Sequence, residues 1–376
     1  MQLSYCQASQ PCGLQRPMLL PCTRVIQRCW KASRAVPHGR CYATTGYGTG
    51  SALGRHLIIT DAHAWIYRSH HAMPKERLKA PDGTDTTTVH LFLGMLWRLL
   101  RLNPQATHVA AVFDFPGKNF RHQMYPDYKA HRKATPPEIK QAGPQLRSLL
   151  AQIGIPVLCV PGVEADDVIA SLAVRGIQDG MTVGIASPDG DFRQLLQPGL
   201  TLLRPAPRGK AAYVPGGPPS GLLAYAAPEF EADFPGLRPD QYADLLALSG
   251  DASDNIPGVP GVGPVGAARL LAAHGGVEGV LAAARAGGLG GARANKRTAA
   301  TLAGEEGAAA ARLSLRLTRL VTDLDVPATR APWDAYRPGL PADGGGAALR
   351  TLGDLALERH ARTLRAIWTE HAAFRR

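Results

Sequence analysis

Short apolar runs alternate with longer amphipathic stretches along the middle of the chain. Four runs predict buried strands, at 57–59, 109–113, 155–160 and 182–186. The longer stretches between them predict helices, at 86–102, 137–153 and 165–176. Continuous apolar strands separated by helices are typical of a parallel sheet covered on both faces. We therefore predict an α/β fold with a parallel sheet flanked by helices.

The pattern changes after the fourth predicted strand. Residues 205–236 are rich in Pro and Gly and predict a poorly ordered insertion. Two helix candidates follow, at 239–248 and 265–273, within a helical module expected over 237–330. An Ala/Gly-rich stretch at 279–311 has a low-complexity composition. We expect the α/β domain to span 55–204 and a C-terminal tail to span 331–376.

The charge of the chain is uneven. Its 376 residues carry 42 Lys and Arg against 30 Asp and Glu, a net charge of +12 that indicates an acidic partner such as nucleic acid. The first acid is Asp61, and the sixty residues before it hold seven basic residues and five of the six Cys. This composition predicts an organelle transit peptide over 1–42, with mitochondrial import expected and chloroplast import open. A basic disordered tail that binds nucleic acid or membrane is the alternative.

Two classes of protein are excluded by the apolar and cysteine content. No apolar stretch reaches the ~18 residues of a membrane span, so we expect neither an integral membrane protein nor a membrane partner. Beyond the transit segment Cys159 is the single thiol, which excludes a disulfide framework and a Cys-based zinc site there.

Acidic residues follow all four predicted strands. They are Asp61, Asp114, Glu164, Asp166, Asp167, Asp189 and Asp191. Each alone has the ordinary interpretation of a turn or helix cap. Ligands collect at the carboxyl ends of parallel strands, however, and converging carboxylates ~4 Å apart repel by ~4 kcal/mol per pair at a dielectric of ~20. Such a cluster is tolerable only around cations or with raised pKa values. The oxygen-only set suits Mg²⁺ or Mn²⁺, as two ions that promote hydrolysis of a phosphodiester.

A Gly-rich turn lies between the two helix candidates of the C-terminal module. It follows Asp251 and Asp254, which can join the acid cluster, and contains Gly258, Gly261 and Gly263. Such a turn presents backbone N–H groups to a phosphate, in the manner of a helix-hairpin-helix. Gly and Pro also mark ordinary turns, so the motif gains its weight from the neighbouring acids.

A basic segment with interleaved aromatic residues follows Asp114 closely. Its members are Lys118, Phe120, Arg121, Tyr125, Tyr128, Lys129, Arg132 and Lys133. Cations that hold phosphates and rings that stack on bases suit a single-stranded nucleic acid. A solvated loop with aromatic residues in the core is the alternative. Its place just after a strand-end acid favours a substrate-binding element over the site.

These segments together closely resemble the 5′ nuclease family, the 5′ to 3′ exonuclease and flap endonuclease domain attached to bacterial DNA polymerase I and also found as free-standing proteins of plant or algal organelles. The resemblance covers about 57–326. It is carried in family order by 59–61 with 67–68, 113–114, 120–132, 160–168, 187–191 and 250–258.

The resemblance implies a PIN-like nuclease domain with a helical arch at about 115–135 and a helix-three-turn-helix module. All nine family acids are present: five around one metal (Asp61, Asp114, Glu164, Asp166, Asp167) and four around the other (Asp189, Asp191, Asp251, Asp254). It implies that Arg121, Lys129 and Arg132 clamp the scissile phosphate. DNA contacts would come from Arg68, from the remaining basic and aromatic residues of the segment, and from the glycine turn, which in some members binds K⁺.

Three positions depart from the family pattern. Ala62 stands where Gly commonly follows the first Asp, which is a small change. Gly190 stands where a Lys usually separates the paired acids, which removes a nearby cation. Val265 replaces a Lys after the glycine turn, a loss that Arg269 can offset.

The expected function is metal-dependent 5′ to 3′ exonuclease and 5′ flap endonuclease activity in organelle DNA replication and repair. The expected substrates are 5′ flaps, nicked or 5′-ended duplexes and RNA primer hybrids. A monomer is expected, with a separate polymerase and ligase because no polymerase domain fits in the last ~50 residues. A PIN-type ribonuclease and a non-catalytic DNA-binding factor are the alternatives.

Overall fold

The structure is a computed structural model that describes residues 54–72, 76–205, 222–289, 295–371 and 374. The predicted transit segment 1–42 lies outside these residues. The described residues form a six-stranded sheet in the order β3-β2-β1-β4-β5-β6. Its strands are β1 His56–Asp61, β2 His108–Phe113, β3 Val157–Cys159, β4 Thr182–Ala186, β5 Leu200–Pro205 and β6 Leu222–Tyr225. All pairs are parallel except β5 with β6.

Helices cover both faces of this sheet. In the described part of the chain they are α1 Ala62–His71, α2 Thr87–Leu102, α3 Phe120–Met124, α4 Pro137–Ile153, α5 Ala165–Gln178, α6 Ala227–Asp233, α7 Tyr242–Ser249, α8 Pro264–His274, α9 Val277–Arg285, α10 Lys296–Ala303, α11 Glu305–Thr318, α12 Pro327–Arg330, α13 Gly346–Asp354 and α14 Glu358–Glu370. Short 3₁₀ helices lie at Asp191–Leu195, Pro239–Gln241 and Trp333–Tyr336. None of the described helices has the length and apolar character needed to cross a membrane.

Two hydrophobic cores lie on opposite faces of the sheet because neighbouring strand residues point to opposite sides. Leu57 and Ile59 belong to the core that includes α5 and the C-terminal helices α7 to α11. Ile58 belongs to the core formed with α1, α2, α4, α13 and α14. β1 and β2 are buried on both faces, which explains their continuous apolar pattern. The predicted parallel sheet flanked by helices is confirmed.

The segment 205–236 is more regular than expected. Residues 206–221 lie outside the described residues, but the next residues form β6 and α6. Leu222 and Tyr225 are buried on the edge strand, and Phe230 of α6 is fully buried. The expectation of an irregular insertion is wrong for 222–233, because these few apolar side chains pack onto the core despite the surrounding Pro and Gly.

Two further stretches contain regular helices. The Ala/Gly-rich stretch contributes to α9, α10 and α11, where buried Ala308 and Ala311 allow close helix packing; its residues 290–294 lie outside the described part. The expected C-terminal tail contains α13 and α14. Leu364 and Ile367 of α14 are buried, and Trp368 donates its indole N–H to the Ile153 carbonyl at 3.0 Å. The tail is therefore part of the folded core.

Candidate functional site

The strand order brings the acids that follow β1, β2 and β4 to one edge of the sheet. Asp61 caps α1 by accepting the Ala64 N–H at 3.0 Å, and its other oxygen accepts the Ser187 hydroxyl at 2.6 Å. Asp114 accepts the N–H of Ala165, the first residue of α5, at 2.9 Å. Capping and clustering are therefore both correct interpretations, because each cap uses one carboxylate oxygen.

These acids line a cavity of about 570 Å³. Asp166 and Asp189 border it together with Asp61 and Asp114, and Asp254 closes one side. Asp189 also accepts the Asp191 N–H at 2.9 Å, which fixes the loop after β4. A second group lies beside it, where oxygens of Asp191, Asp251 and Asp254 are all within 4.8 Å of one another. The structure thus brings together seven of the nine predicted metal ligands.

Burial and mutual repulsion raise the pKa of four of these carboxylates. Burial, followed by the charges of Asp114 and Asp189, raises the pKa of Asp61 to about 7. Burial and neighbouring acids also raise the pKa of Asp166 and of Asp191 well above the usual range, and that of Asp251 to a smaller extent. Carboxylates in this state are stabilised by cations. The all-oxygen donor set fits hard divalent ions.

The basic segment lies directly across the acid cluster. The Lys129 ammonium contacts Glu164 at 2.8 Å and Asp254 at 3.5 Å, and the Arg132 guanidinium contacts Asp254 at 2.5 Å. The backbone N–H of Lys129 also donates to the backbone carbonyl of Asp254 at 2.9 Å. Lys129 and Arg132 line the cavity, as does Lys133. Only five residues of the expected arch form a helix, α3.

Arg121 and Asp167 do not face the cavity. Arg121 is 1% exposed and donates to both oxygens of Asp167, at 2.6 and 2.8 Å, and to the carbonyls of Leu317 and Arg319. Asp167 is fully buried and also accepts the Val321 N–H at 2.9 Å. The expectation that Arg121 clamps a phosphate and that Asp167 ligates a metal is wrong, because the two side chains are fully engaged with each other and with the backbone.

Two other residues that were expected to contact DNA instead contact other parts of the protein. Tyr128 is 2% exposed, and its hydroxyl lies 3.1 Å from both Glu164 and Asp254, so its ring is unavailable for stacking on a base. Gly258 is buried and its N–H donates to the Ser314 hydroxyl at 3.2 Å. A Cβ at Gly258, where φ is +66°, would lie 2.2 Å from the Gly250 nitrogen. These two residues therefore stabilise the site from within, and the prediction that they contact DNA is wrong.

The remaining predicted contacts have mixed exposure. Glu164 accepts from Asn119, Arg121, Tyr128 and Lys129, which places it behind the cavity as the anchor of the basic segment. Burial alone would raise its pKa, but Lys129 and Arg121 outweigh this and lower it. Half-buried positions are Arg68, Phe120 and Tyr125; exposed positions are Lys118, Lys133, Gly261, Gly263 and Arg269.

The sequence reasoning missed Arg193, which lies beneath the loop between the paired acids. Its guanidinium is buried, donates to the Gly190 carbonyl at 3.2 Å and to the Tyr242 hydroxyl at 2.9 Å, and lies over the rings of Tyr225, Phe234 and Tyr242. A Cβ at Gly190 would lie 2.2 Å from its Nη1. Gly190 therefore makes room for a cation, which corrects the expectation that this position loses one. The i, i+3 spacing of Gly190 and Arg193 was the available signal.

We expect Gly190→Ala to lower the free energy of unfolding by about 1 to 3 kcal/mol, because the buried guanidinium must move. In an Arg193→Lys background the same substitution should cost less. Urea denaturation of the four proteins measures this coupling. Gly143→Ala is the control: it lies inside α4, nothing lies within 4 Å of its added Cβ, and it should be neutral or stabilising by up to about 1 kcal/mol. Equal effects of Gly190→Ala in both backgrounds would contradict the contact.

Comparison with known proteins supports the family resemblance. Residues 56–215 match the family model of the 5′-3′ exonuclease N-terminal resolvase-like domain, and 237–338 match that of the 5′-3′ exonuclease C-terminal SAM fold. A 5′-3′ exonuclease of Aquifex aeolicus is 36% identical over 225 residues, which cover 60% of this chain and 72% of that protein. DNA polymerase I of Mycobacterium tuberculosis is 38% identical over 225 residues, which cover 60% of this chain and 24% of that protein. The chain thus spans about a quarter of the DNA polymerase I relatives it matches.

Two solved structures share the fold. The T5 5′-exonuclease with bound zinc has a TM-score of 0.55 at 17% identity, covering 84% of this chain and 100% of that one. Human GEN1 in complex with Holliday junction DNA has a TM-score of 0.54 at 18% identity, covering 85% of this chain and 73% of that one. At this low sequence identity, the two comparisons show that the fold is shared.

Proposed function

Because the chain belongs to the 5′-3′ exonuclease family, we propose that it is a nuclease that hydrolyses DNA phosphodiester bonds from 5′ ends and at 5′ flaps. The observation that carries this proposal is the convergence of five carboxylates and a basic segment on one cavity, with two more carboxylates grouped around Asp254 beside it. Neither set alone has that meaning, since acids also cap helices and basic loops are often solvated. Their contact in one site suits a substrate that is itself a polyanion.

Divalent cations are part of the proposal, and Mg²⁺ or Mn²⁺ fits the oxygen donors best. When bound, such ions neutralise phosphate charge and activate water for in-line attack. Asp61, Asp114, Asp166 and Asp189 would hold one ion, and Asp191, Asp251 and Asp254 the other. The raised pKa values of Asp166 and Asp191 support this, because the ionised carboxylates repel one another unless cations are bound between them.

Substrate positioning falls to the residues around the cavity. Lys129 and Arg132 pair with carboxylates in the structure, and a scissile phosphate would replace those carboxylates as their counterion. In the C-terminal module, exposed Gly261 and Gly263 precede α8, where backbone N–H groups favour a duplex phosphate. The two elements together would place a strand end at the acids and its duplex along the C-terminal module.

We further propose that the protein acts in an organelle, with mitochondrial import expected and chloroplast import open. The acid-free, Arg-rich and Cys-containing first sixty residues support this. Removal of primers or flaps during replication and repair, followed by a separate polymerase and ligase, is the task that suits a 5′ nuclease. Localisation of the full chain fused to a fluorescent protein tests the compartment, and a diffuse cytosolic signal would refute import.

A panel of end-labelled substrates tests the activity. With Mg²⁺ we expect release of the flap from a 5′-flap duplex and stepwise cleavage from the 5′ end of a nicked duplex, and no cleavage in EDTA. RNA-primed hybrids in the same panel separate a DNA enzyme from a ribonuclease. Cleavage in the presence of EDTA, or from the 3′ end, would refute the proposal. Binding without cleavage would favour a non-catalytic DNA-binding factor.

A further inference from the structure

We propose that a groove between α2 and α14 is a second binding site for the phosphate backbone of DNA, separate from the acid cluster. This proposal depends on the proposed function in one respect: the ligand is the DNA that the nuclease site would cleave. Residues 339–371, which include α14, lie beyond both matched family regions. The groove has a volume of about 500 Å³.

Arginines from both helices border this groove. Arg98 and Arg101 extend from consecutive turns of α2, and Arg359 from the first turn of α14. All three are exposed, and Arg362 is exposed one turn further along α14. Arginine side chains bind phosphate oxygens through charge-assisted and often bidentate hydrogen bonds. Three of them around one groove make a site for consecutive phosphates of a strand.

The floor of the groove holds α14 in place. The Trp97 indole N–H donates to Nδ1 of His360 at 2.9 Å, which leaves Nε2 of His360 to donate to Nδ1 of His90 at 2.9 Å. At the other end of α14, His371 contacts the Leu100 and Asn103 carbonyls at 3.1 Å. Arg359 is adjacent to His360, so its backbone is held beside α2. The fold thus sets the backbone positions from which the arginines extend, which lowers the cost of bringing them together around a ligand.

The groove also lacks neutralising charge. Its described lining includes no Asp or Glu. Several exposed arginines elsewhere on the described surface are paired with carboxylates, such as Arg238 with Asp240, Arg312 with Glu278 and Arg337 with Asp334. Burial and, after it, the charge of Arg359 lower the pKa of His90. This uncompensated positive charge indicates a polyanion as the occupant.

The position of the groove determines which DNA reaches it. β1 ends at the acid cluster and is parallel to β2, so the chain between them must return to the start of β2, and α2 is the last helix before that strand. Arg98 and Arg101 lie near the C-terminal end of this 16-residue helix, which is roughly 24 Å long at 1.5 Å per residue. The groove is therefore displaced from the cleavage site toward the end of the sheet where the parallel strands begin. At about 3.4 Å per base pair, DNA needs an arm well beyond roughly 7 base pairs to contact both.

Binding of duplexes with different arm lengths tests the proposal. The triple variant Arg98→Ala/Arg101→Ala/Arg359→Ala is compared with the parent by fluorescence anisotropy in EDTA, over a range of salt concentrations. With arms of about 40 base pairs, we expect weaker binding and a log–log salt dependence that is shallower by about 2 to 3, since each lost phosphate contact contributes about 0.9. With arms of about 6 base pairs, both quantities should stay unchanged.

A matched control removes the same charge elsewhere. Arg238→Ala/Arg312→Ala/Arg337→Ala lacks three exposed arginines that are already paired, and its salt dependence should equal that of the parent. An unchanged salt dependence in the groove variant, or an equal loss in the control, would overturn the proposal. Flap cleavage on short arms is measured in parallel. If the groove variant cleaves normally, loss of long-arm binding belongs to the groove and not to the nuclease site.

Discussion

Asp191→Asn is expected to abolish cleavage and at the same time to stabilise the metal-free protein. The substitution removes one carboxylate from the group formed with Asp251 and Asp254. The lost charge stabilisation at the phosphate, about 4 kcal/mol, corresponds to a rate reduction of roughly a thousandfold. The same substitution relieves like-charge repulsion and burial of a charge, so thermal unfolding in EDTA should show a gain of about 1 to 2 kcal/mol.

The pH dependence of stability gives an independent measurement. A carboxyl whose pKa is raised in the folded state, as for Asp61 at about 7 against 3.8, binds protons that the unfolded chain does not bind. Stability in EDTA should therefore rise as the pH falls from about 8 toward 6, and fall as the pH rises through about 7. Asp191→Asn should show a flatter profile than the parent, because one of the acids with a raised pKa is gone.

Asp240→Asn is the control for charge removal, since Asp240 is exposed and pairs only with exposed Arg238 among the described ion pairs. It should leave cleavage unchanged and alter stability by less than about 1 kcal/mol. If the Asp191→Asn protein were fully active, Asp191 would not be one of the residues that hold the metal. A less stable Asp191→Asn protein in EDTA would show that repulsion in the cluster is relieved by other means.

The strand-end acids were the most predictable part of the molecule. The apolar runs locate the strands, and the parallel arrangement requires that the residues after them share one edge of the sheet. Asp61 and Asp114 follow directly from that rule. Asp251 and Asp254 come from a separate helical module; their place before the Gly-rich turn indicated that they could join the same cluster, and the family resemblance assigned them to it.

Side-chain direction was the part that the sequence could not supply. Arg121 and Arg132 belong to one basic segment, yet one is buried against Asp167 and the other reaches the cavity. The difference depends on the Leu317 carbonyl, a partner 196 residues away in sequence. Arg193 was missed for a related reason, because its partner Tyr242 comes from the helical module. Such contacts form only when distant elements meet.

Arg121→Met is expected to be the most destabilising single substitution in the basic segment. It leaves the fully buried Asp167 carboxylate without its guanidinium partner, and it leaves the Leu317 and Arg319 carbonyls without their donor. Breaking a buried ion pair by removing one partner costs about 3 to 5 kcal/mol. That is a large share of a typical total stability of about 5 to 15 kcal/mol. Chemical denaturation with urea measures the loss.

Arg132→Met is the matched control, because it removes the same group from a side chain that is 53% exposed. It should change the free energy of unfolding by less than about 1 kcal/mol and should slow flap cleavage, since Arg132 lies at the cavity. The double variant Arg121→Met/Asp167→Leu removes both buried charges and should recover much of the stability lost in Arg121→Met. If Arg121→Met were as stable as the parent but slow in cleavage, Arg121 would act on the phosphate after all, and the buried pair with Asp167 would not describe the working protein.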